Sequence, residues 1–146
     1  MISISLPSFA KINFGLSILH KRDDGFHELE TILQQISLKD EIRVSLSNSG
    51  RISLTCNQGL IPADETNLCW RAAALFKERT GIRSGLDINL VKNIPWGAGL
   101  GGGSSNAAVT LLALNKLFEA LFEKIDKFSR SHFPTGHSEI FMFIFT

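Results

Sequence analysis

The chain has 146 residues, 44% of them hydrophobic and 20% charged, with a formal net charge of +1. That length fits one domain or part of a larger one, and the composition is ordinary for a globular chain. A balance so near neutral argues against a broad cationic surface for nucleic acid or acidic lipid, while leaving room for one local pocket for a small anion. Two cysteines, Cys56 and Cys69, allow at most one bridge and have no metal-ligand spacing, and four histidines add no zinc signature. Two reduced thiols fit a cytoplasmic protein. The N-terminus lacks a basic stretch followed by a long apolar run, so it does not read as a signal peptide. The longest uninterrupted apolar run, residues 140–145, is too short to span a bilayer.

In chain order, residues 2–19 come first. Ile12, Phe14, Leu16 and Ile18 alternate with Asn13, Gly15, Ser17 and Leu19, close to period two, which predicts a strand. Residues 21–25 read as a polar turn ending in glycine. A second strand is expected over 29–38, ended by Lys39-Asp40. Ile42, Val44 and Leu46 predict a third, and Ile52, Leu54 and Cys56 a fourth. The turn residues Ser47-Asn48-Ser49-Gly50 between them suggest a β-hairpin.

A loop over 62–67 precedes a helix predicted over 68–80, capped by Thr66 or Asn67 and ended by Gly81. Its apolar face is expected to carry Leu68, Ala72, Leu75 and Phe76. Leu86, Ile88 and Leu90 alternate as a fifth strand. A glycine-rich run follows, and then a helix over 105–118 with Ala107, Leu111, Leu114 and Phe118 in one stripe. Strands, helix, strand, loop, helix make an α+β domain rather than a regular βαβ repeat. Past Glu119 the character changes. Seven of the eleven phenylalanines lie in 118–146, and His132-Phe133-Pro134-Thr135-Gly136-His137 has no clear period. Two domain-level segments are expected, 1–118 and a divergent or out-of-frame tail over 119–146.

The run Pro95-Trp96-Gly97-Ala98-Gly99-Leu100-Gly101-Gly102-Gly103-Ser104-Ser105 carries the most specific chemistry. Phosphate needs converging N–H donors with no side chains in the way, and glycine permits that backbone approach. A helix starting just behind adds unpaired N–H groups and the positive end of its dipole. The two serines can cap that helix or contact a phosphate and its magnesium. No lysine lies inside the run, which excludes a Walker A loop. Gly97-x-Gly99-x-x-Gly102 satisfies the dinucleotide pattern. However, several strands precede it, and Glu119 and Glu123 do not close a second strand, so a dinucleotide-dependent oxidoreductase is disfavoured.

The run resembles the phosphate loop of the GHMP small-molecule kinases. Ser8-Phe9-Ala10-Lys11-Ile12-Asn13-Phe14 resembles that family's Pro-Ala-Lys-Ile-Asn-Leu strand. Lys21-Arg22-Asp23-Asp24-Gly25-Phe26-His27-Glu28-Leu29 resembles its Arg-x-Asp-Gly-Tyr-His-x-Leu segment. The three blocks stand in the family's order over roughly residues 5–118. The resemblance implies an α+β fold like domain 2 of ribosomal protein S5, with ATP as phosphate donor and magnesium accompanying it. The triple glycine before Ser-Ser points to a member of terpenoid biosynthesis, in the non-mevalonate isoprenoid route. That member phosphorylates a hydroxyl of a cytidine-diphosphate-linked methylerythritol, a small-molecule substrate.

From its strand alone, Lys11 reads as an edge lysine reaching solvent. The resemblance implies instead that it sits beside the acceptor hydroxyl and the γ-phosphate as the catalytic cation. It implies that residues 95–105 bind the ATP phosphates and that Asn13 hydrogen-bonds the methylerythritol part. Phe26 would stack on the cytosine and His27 would hydrogen-bond it, although locally His27 reads as an exposed turn histidine. Phe26 stands where the family usually has tyrosine, which keeps stacking and loses a hydroxyl. Trp96 replaces a smaller apolar residue. The family's Gly-x-Asp-Val-Pro-Phe segment, with its aspartate, has no match, and Asp126 is the one aspartate after the loop. The expectation is therefore an incomplete copy without the family's C-terminal domain, with exposed apolar surface and little or no kinase activity. The alternative is an inactive nucleotide-binding fragment. Oligomeric state is not readable.

Overall fold

A computed structural model describes residues 3–118 of the chain. The alternation noted near the N-terminus extends into one long strand, β1 (Ser3–Lys21), paired antiparallel with a similarly long β2 (His27–Ser47) across a tight turn. Gly25, at φ 89, takes the left-handed conformation that this turn requires. β3 (Ile52–Cys56) and β4 (Gly85–Val91) complete a four-stranded sheet in the order β1-β2-β4-β3. Pro7, which has no N–H to give a ladder, is tolerated because β1 is an edge strand.

Two expectations about the strands are corrected. Lys39-Asp40 does not break the second strand, which runs through it to Ser47. The Ser47–Gly50 turn does not make a hairpin of its flanking strands. β2 pairs with β4 instead, and β3 lies parallel to β4 on the far side. A parallel pair needs a crossover of a dozen or more residues. The helix α1 (Leu68–Thr80) supplies it between β3 and β4.

That helix has the bounds its sequence predicts. Of the two candidate caps, Asn67 is the one used: its side chain accepts from the Cys69 N–H at 2.9 Å. Gly81, at φ 72, ends it by donating to Lys77 O at 2.9 Å. One residue further out, the Thr66 hydroxyl and N–H both donate to Asp64, which lowers that carboxyl's pKa. The predicted apolar face is rotated: Cys69, Ala72, Ala73 and Phe76 are buried, while Leu68 and Leu75 are exposed.

The second helix, α2 (Gly102–Phe118), begins three residues before its predicted start. Gly102, Gly103 and Ser104 therefore belong to its first turn and not to the loop. Both helices pack on one face of the sheet, over Ile42, Val44, Leu54, Leu86, Ile88 and Leu90. The alternate residues Arg43, Asp87 and Asn89 fall on the opposite face, the polar-out pattern of a sheet covered on one side. Burial pushes the Cys69 thiol up from its ordinary 9.0 to about 11. The tail over 119–146, with Asp126 and the final apolar run, lies outside the described residues.

Candidate functional site

The glycine run crosses from the end of β4 to the start of α2. Gly97, Gly99 and Gly101 have φ of 74, 71 and 69, a conformation costly for residues with a Cβ. Every second residue of the loop is thus turned to the left-handed region, and no neighbouring atom would meet a Cβ at Gly97 or Gly99. The loop and the first turn of α2 line a cavity of about 430 Å³, with Ile61, Pro62, Asn67 and Leu68 on its other side. Asn67, expected only to cap, therefore also faces this cavity. Trp96 is 76% exposed at its rim.

The first turn of α2 contains no acidic residue. Its leading N–H groups have no intrahelical acceptors, and the helix dipole makes that end favourable for an anion. Ser104 lines the cavity. Ser105 turns inward instead: its Oγ accepts from the Ser8 hydroxyl at 2.8 Å, and its N–H donates to Gly101 O at 2.9 Å.

Lys11 meets this loop through its main chain. The β1–β2 ladder slips beyond Phe9, where Ala10 alone of β1 faces residues 36–38 of β2. Irregularities of this kind re-aim backbone and side chains. Here the Lys11 N–H donates to Leu100 O at 3.0 Å. The Lys11 ammonium donates to Asn13 Oδ1, also at 3.0 Å, so those two predicted residues share a face.

Phe26 and His27 stand elsewhere. They lie at the tip of the β1–β2 arm, ten strand positions from Lys11, a path of at most about 33 Å. The structure brings Lys11, Asn13 and the loop together and leaves Phe26 and His27 at the far end. The register nevertheless places His27 on the same face as Lys11 and Asn13. β2 is regular from 27 to 35, and the partners Leu16, Ile18, Leu29 and Leu33 fill that face between them.

A buried polar cluster beneath the loop went unread in the sequence. Asp40 (1% exposed) accepts from the N–H groups of Asn93 and Ile94 at 2.7 and 2.8 Å through Oδ1. Its Oδ2 accepts from Lys92 Nζ at 2.5 Å and from Asn106 Nδ2 at 2.8 Å. Asn106 Oδ1 also accepts from Lys92 Nζ, at 3.1 Å, and its amide donates to Ser8 Oγ at 2.9 Å. The only local signals were an aspartate inside a long strand and a lysine between an apolar strand and a glycine loop. Their separation of 52 residues cannot be read as a contact from one sequence.

Residues 67–134 match the family GHMP kinases N terminal domain. A relative from Prosthecochloris aestuarii, named 4-diphosphocytidyl-2-C-methyl-D-erythritol kinase, is 52% identical over 118 residues, 81% of this chain and 41% of its own length. A relative of the same name from Clostridium perfringens is 44% identical over 79% of this chain and 40% of its own. The chain thus spans about two fifths of the curated relatives it matches. A crystal structure of a 4-(cytidine 5'-diphospho)-2C-methyl-D-erythritol kinase superposes with a TM-score of 0.73 at 38% identity, over 96% of this chain and 49% of that one. A homoserine kinase from Cytophaga hutchinsonii gives 0.59 at 25% identity, over 81% and 36%. The described residues therefore have the fold of the GHMP kinase N-terminal domain, and the relatives of the chain are named kinases of 4-diphosphocytidyl-2-C-methyl-D-erythritol.

Proposed function

We propose that this chain supplies the ATP-phosphate half of a kinase acting on 4-diphosphocytidyl-2-C-methyl-D-erythritol, in isoprenoid biosynthesis. The observation that carries this reading is the Lys11 N–H bond to Leu100 O, which sets this cation of β1 against the glycine loop. Phosphoryl transfer asks a protein mainly for positioning and charge stabilisation. In this reading the loop and the first turn of α2 take the phosphates through backbone N–H groups. Lys11 then stabilises charge developing between the γ-phosphate and the acceptor hydroxyl. Asn13 orients the acceptor, and Phe26 with His27 takes the cytosine when the arm and the rest of the site close on it.

Among the described residues, no group of three His, Cys, Asp or Glu side chains could hold a metal ion. Asp40, the buried carboxylate beneath the loop, has both oxygens engaged by protein donors. In this reading magnesium would accompany ATP, and the Ser104 hydroxyl, which lines the cavity, would be a residue to contact it. No carboxylate lines the loop cavity to accept the hydroxyl's proton. That absence among the described lining residues favours a second reading, a chain that binds nucleotide without turning it over. No helix of the described residues is long and apolar enough to cross a membrane. Cys56 and Cys69 are both free, which suits a cytoplasmic protein.

Separate calorimetric titrations of the 146-residue chain with Mg-ATP, NAD and the cytidyl substrate test this, together with a phosphoryl-transfer assay. ATP binding without NAD binding is expected, with turnover slight or absent. Lys11→Ala should leave ATP binding within about threefold and remove whatever transfer exists. Failure to bind ATP ends the phosphate-loop reading, and brisk turnover ends the inactive-chain reading.

A further inference from the structure

Two kinds of glycine share this loop. Gly97, Gly99 and Gly101 are needed for their backbone angles. Gly102 is not, since its φ lies outside the left-handed region. It is needed for room: a Cβ there would stand 3.0 Å from Lys92 Nζ and 3.0 Å from Ile94 Cγ2. The first turn of α2 thus lies directly against the Lys92 end of the buried ion pair.

Asp40 occupies an unusual position in that contact. A carboxylate offers about four lone-pair sites, and four donors fill them here. One oxygen holds Asn93 and Ile94, the last residues before Pro95. The other, with Lys92, holds Asn106 in α2. A single side chain of β2 therefore grips the chain on both sides of the glycine run. Ser8 extends the grip to β1, receiving the Asn106 amide and donating to Ser105. None of Ser8, Asp40, Lys92 or Asn106 is more than 6% exposed.

We propose that Asp40 is the positioning residue of the phosphate loop. Acting through Lys92 and Asn106, it fixes the separation of the loop's two ends before any ligand arrives, so that the N–H groups already converge when a phosphate enters. Its importance for nucleotide rests on the phosphate-loop reading above, but the preset geometry does not. A carboxamide cannot replace Asp40. Whichever way it turns, its NH2 faces donors, either the Asn93 and Ile94 amides or the Lys92 and Asn106 groups.

Two amides report the loop's position without ligand. The Lys11 N–H is held by Leu100 O, and the Ser105 N–H by Gly101 O. Amide hydrogen exchange of the whole chain, followed by NMR, compares them with the amides of residues 86–90 in the central β4. In Asp40→Asn the two reporters should exchange at least about tenfold faster, with the β4 amides changed less than about twofold. Gly102→Ala removes no polar group and presses on Lys92 from above. It should show the same selectivity at about threefold, and it decides the matter if Asp40→Asn does not fold. A uniform loss of protection in the folded variant, or none, overturns the proposal, because the cluster would then serve only general stability or nothing. Titrating Mg-ATP into the same samples separates the two ideas. Protected reporters in a wild-type chain that ignores ATP sink the phosphate-loop reading and leave Asp40's role standing. Unchanged ATP affinity and unchanged reporters in both variants sink Asp40's role alone.

Discussion

The β1–β2 pair is two different structures joined end to end. Over residues 3–10 and 39–47 it lies against α2 and β4, and Ala10, Ile42 and Val44 are fully buried. Over residues 11–38 the same two strands leave the sheet as an arm on which Phe14, Ile18, Ile32 and Leu33 are each more than half exposed. The apolar content is similar, and what differs is whether anything packs on it. Apolar surface removed from water contributes roughly 25 cal/mol per Å², so the packed end holds the domain together and the bare arm contributes little. A solvated apolar face is also a surface that seeks cover. The curated relatives are more than twice as long as the stretch they share with this chain.

Substitutions should separate the two ends. Ile88→Ala, under the packed end, should cost about 2–5 kcal/mol in urea unfolding of the full chain. Raising the pH tests the same end through α1. The Cys69 thiol keeps its proton to about pH 11 when folded, and in the unfolded chain it loses it near 9.0. The native state then binds more protons, so the Cys69 contribution to stability is constant below pH 9 and falls by about tenfold in the folding constant per unit from 9 towards 11. A Cys69→Ala variant should lack that slope. Asn67→Ala removes the cap of α1 and should cost about 1 kcal/mol, read from the same unfolding curves. Ile32→Ala, out on the arm, should change stability by less than about 0.5 kcal/mol. A large loss at Ile32 would mean that the arm is packed after all.

Sequence patterning shows much of this fold because its signals are local. The α1 helix is bounded by a capping asparagine and a left-handed glycine, and both act within four residues of the ends they mark. The glycine loop is legible for the same reason. What sequence does not show is non-local. The turn at Ser47–Gly50 has hairpin chemistry, yet β4, nearly forty residues on, takes the edge that β3 would have used. Lys39-Asp40 reads as a break because a buried aspartate in a strand makes no sense without the Lys92 and Asn106 that satisfy it. Of the candidate site residues, Lys11, Asn13 and the loop come together, while His27 shares only their face of the arm and Phe26 lies in the turn beside it. What folds over that face decides whether the two groups meet.

The bond from the Lys11 N–H to Leu100 O has a consequence for how such a site changes over time. It joins cation and loop by main chain alone, so at the two bonded positions only proline at position 11 removes a bonding group. Side chains along the arm are then free to vary without altering the spacing between lysine and phosphate loop. One end of the strand pair keeps a constant geometry for the donor, while the other is open to re-sequencing for a different acceptor.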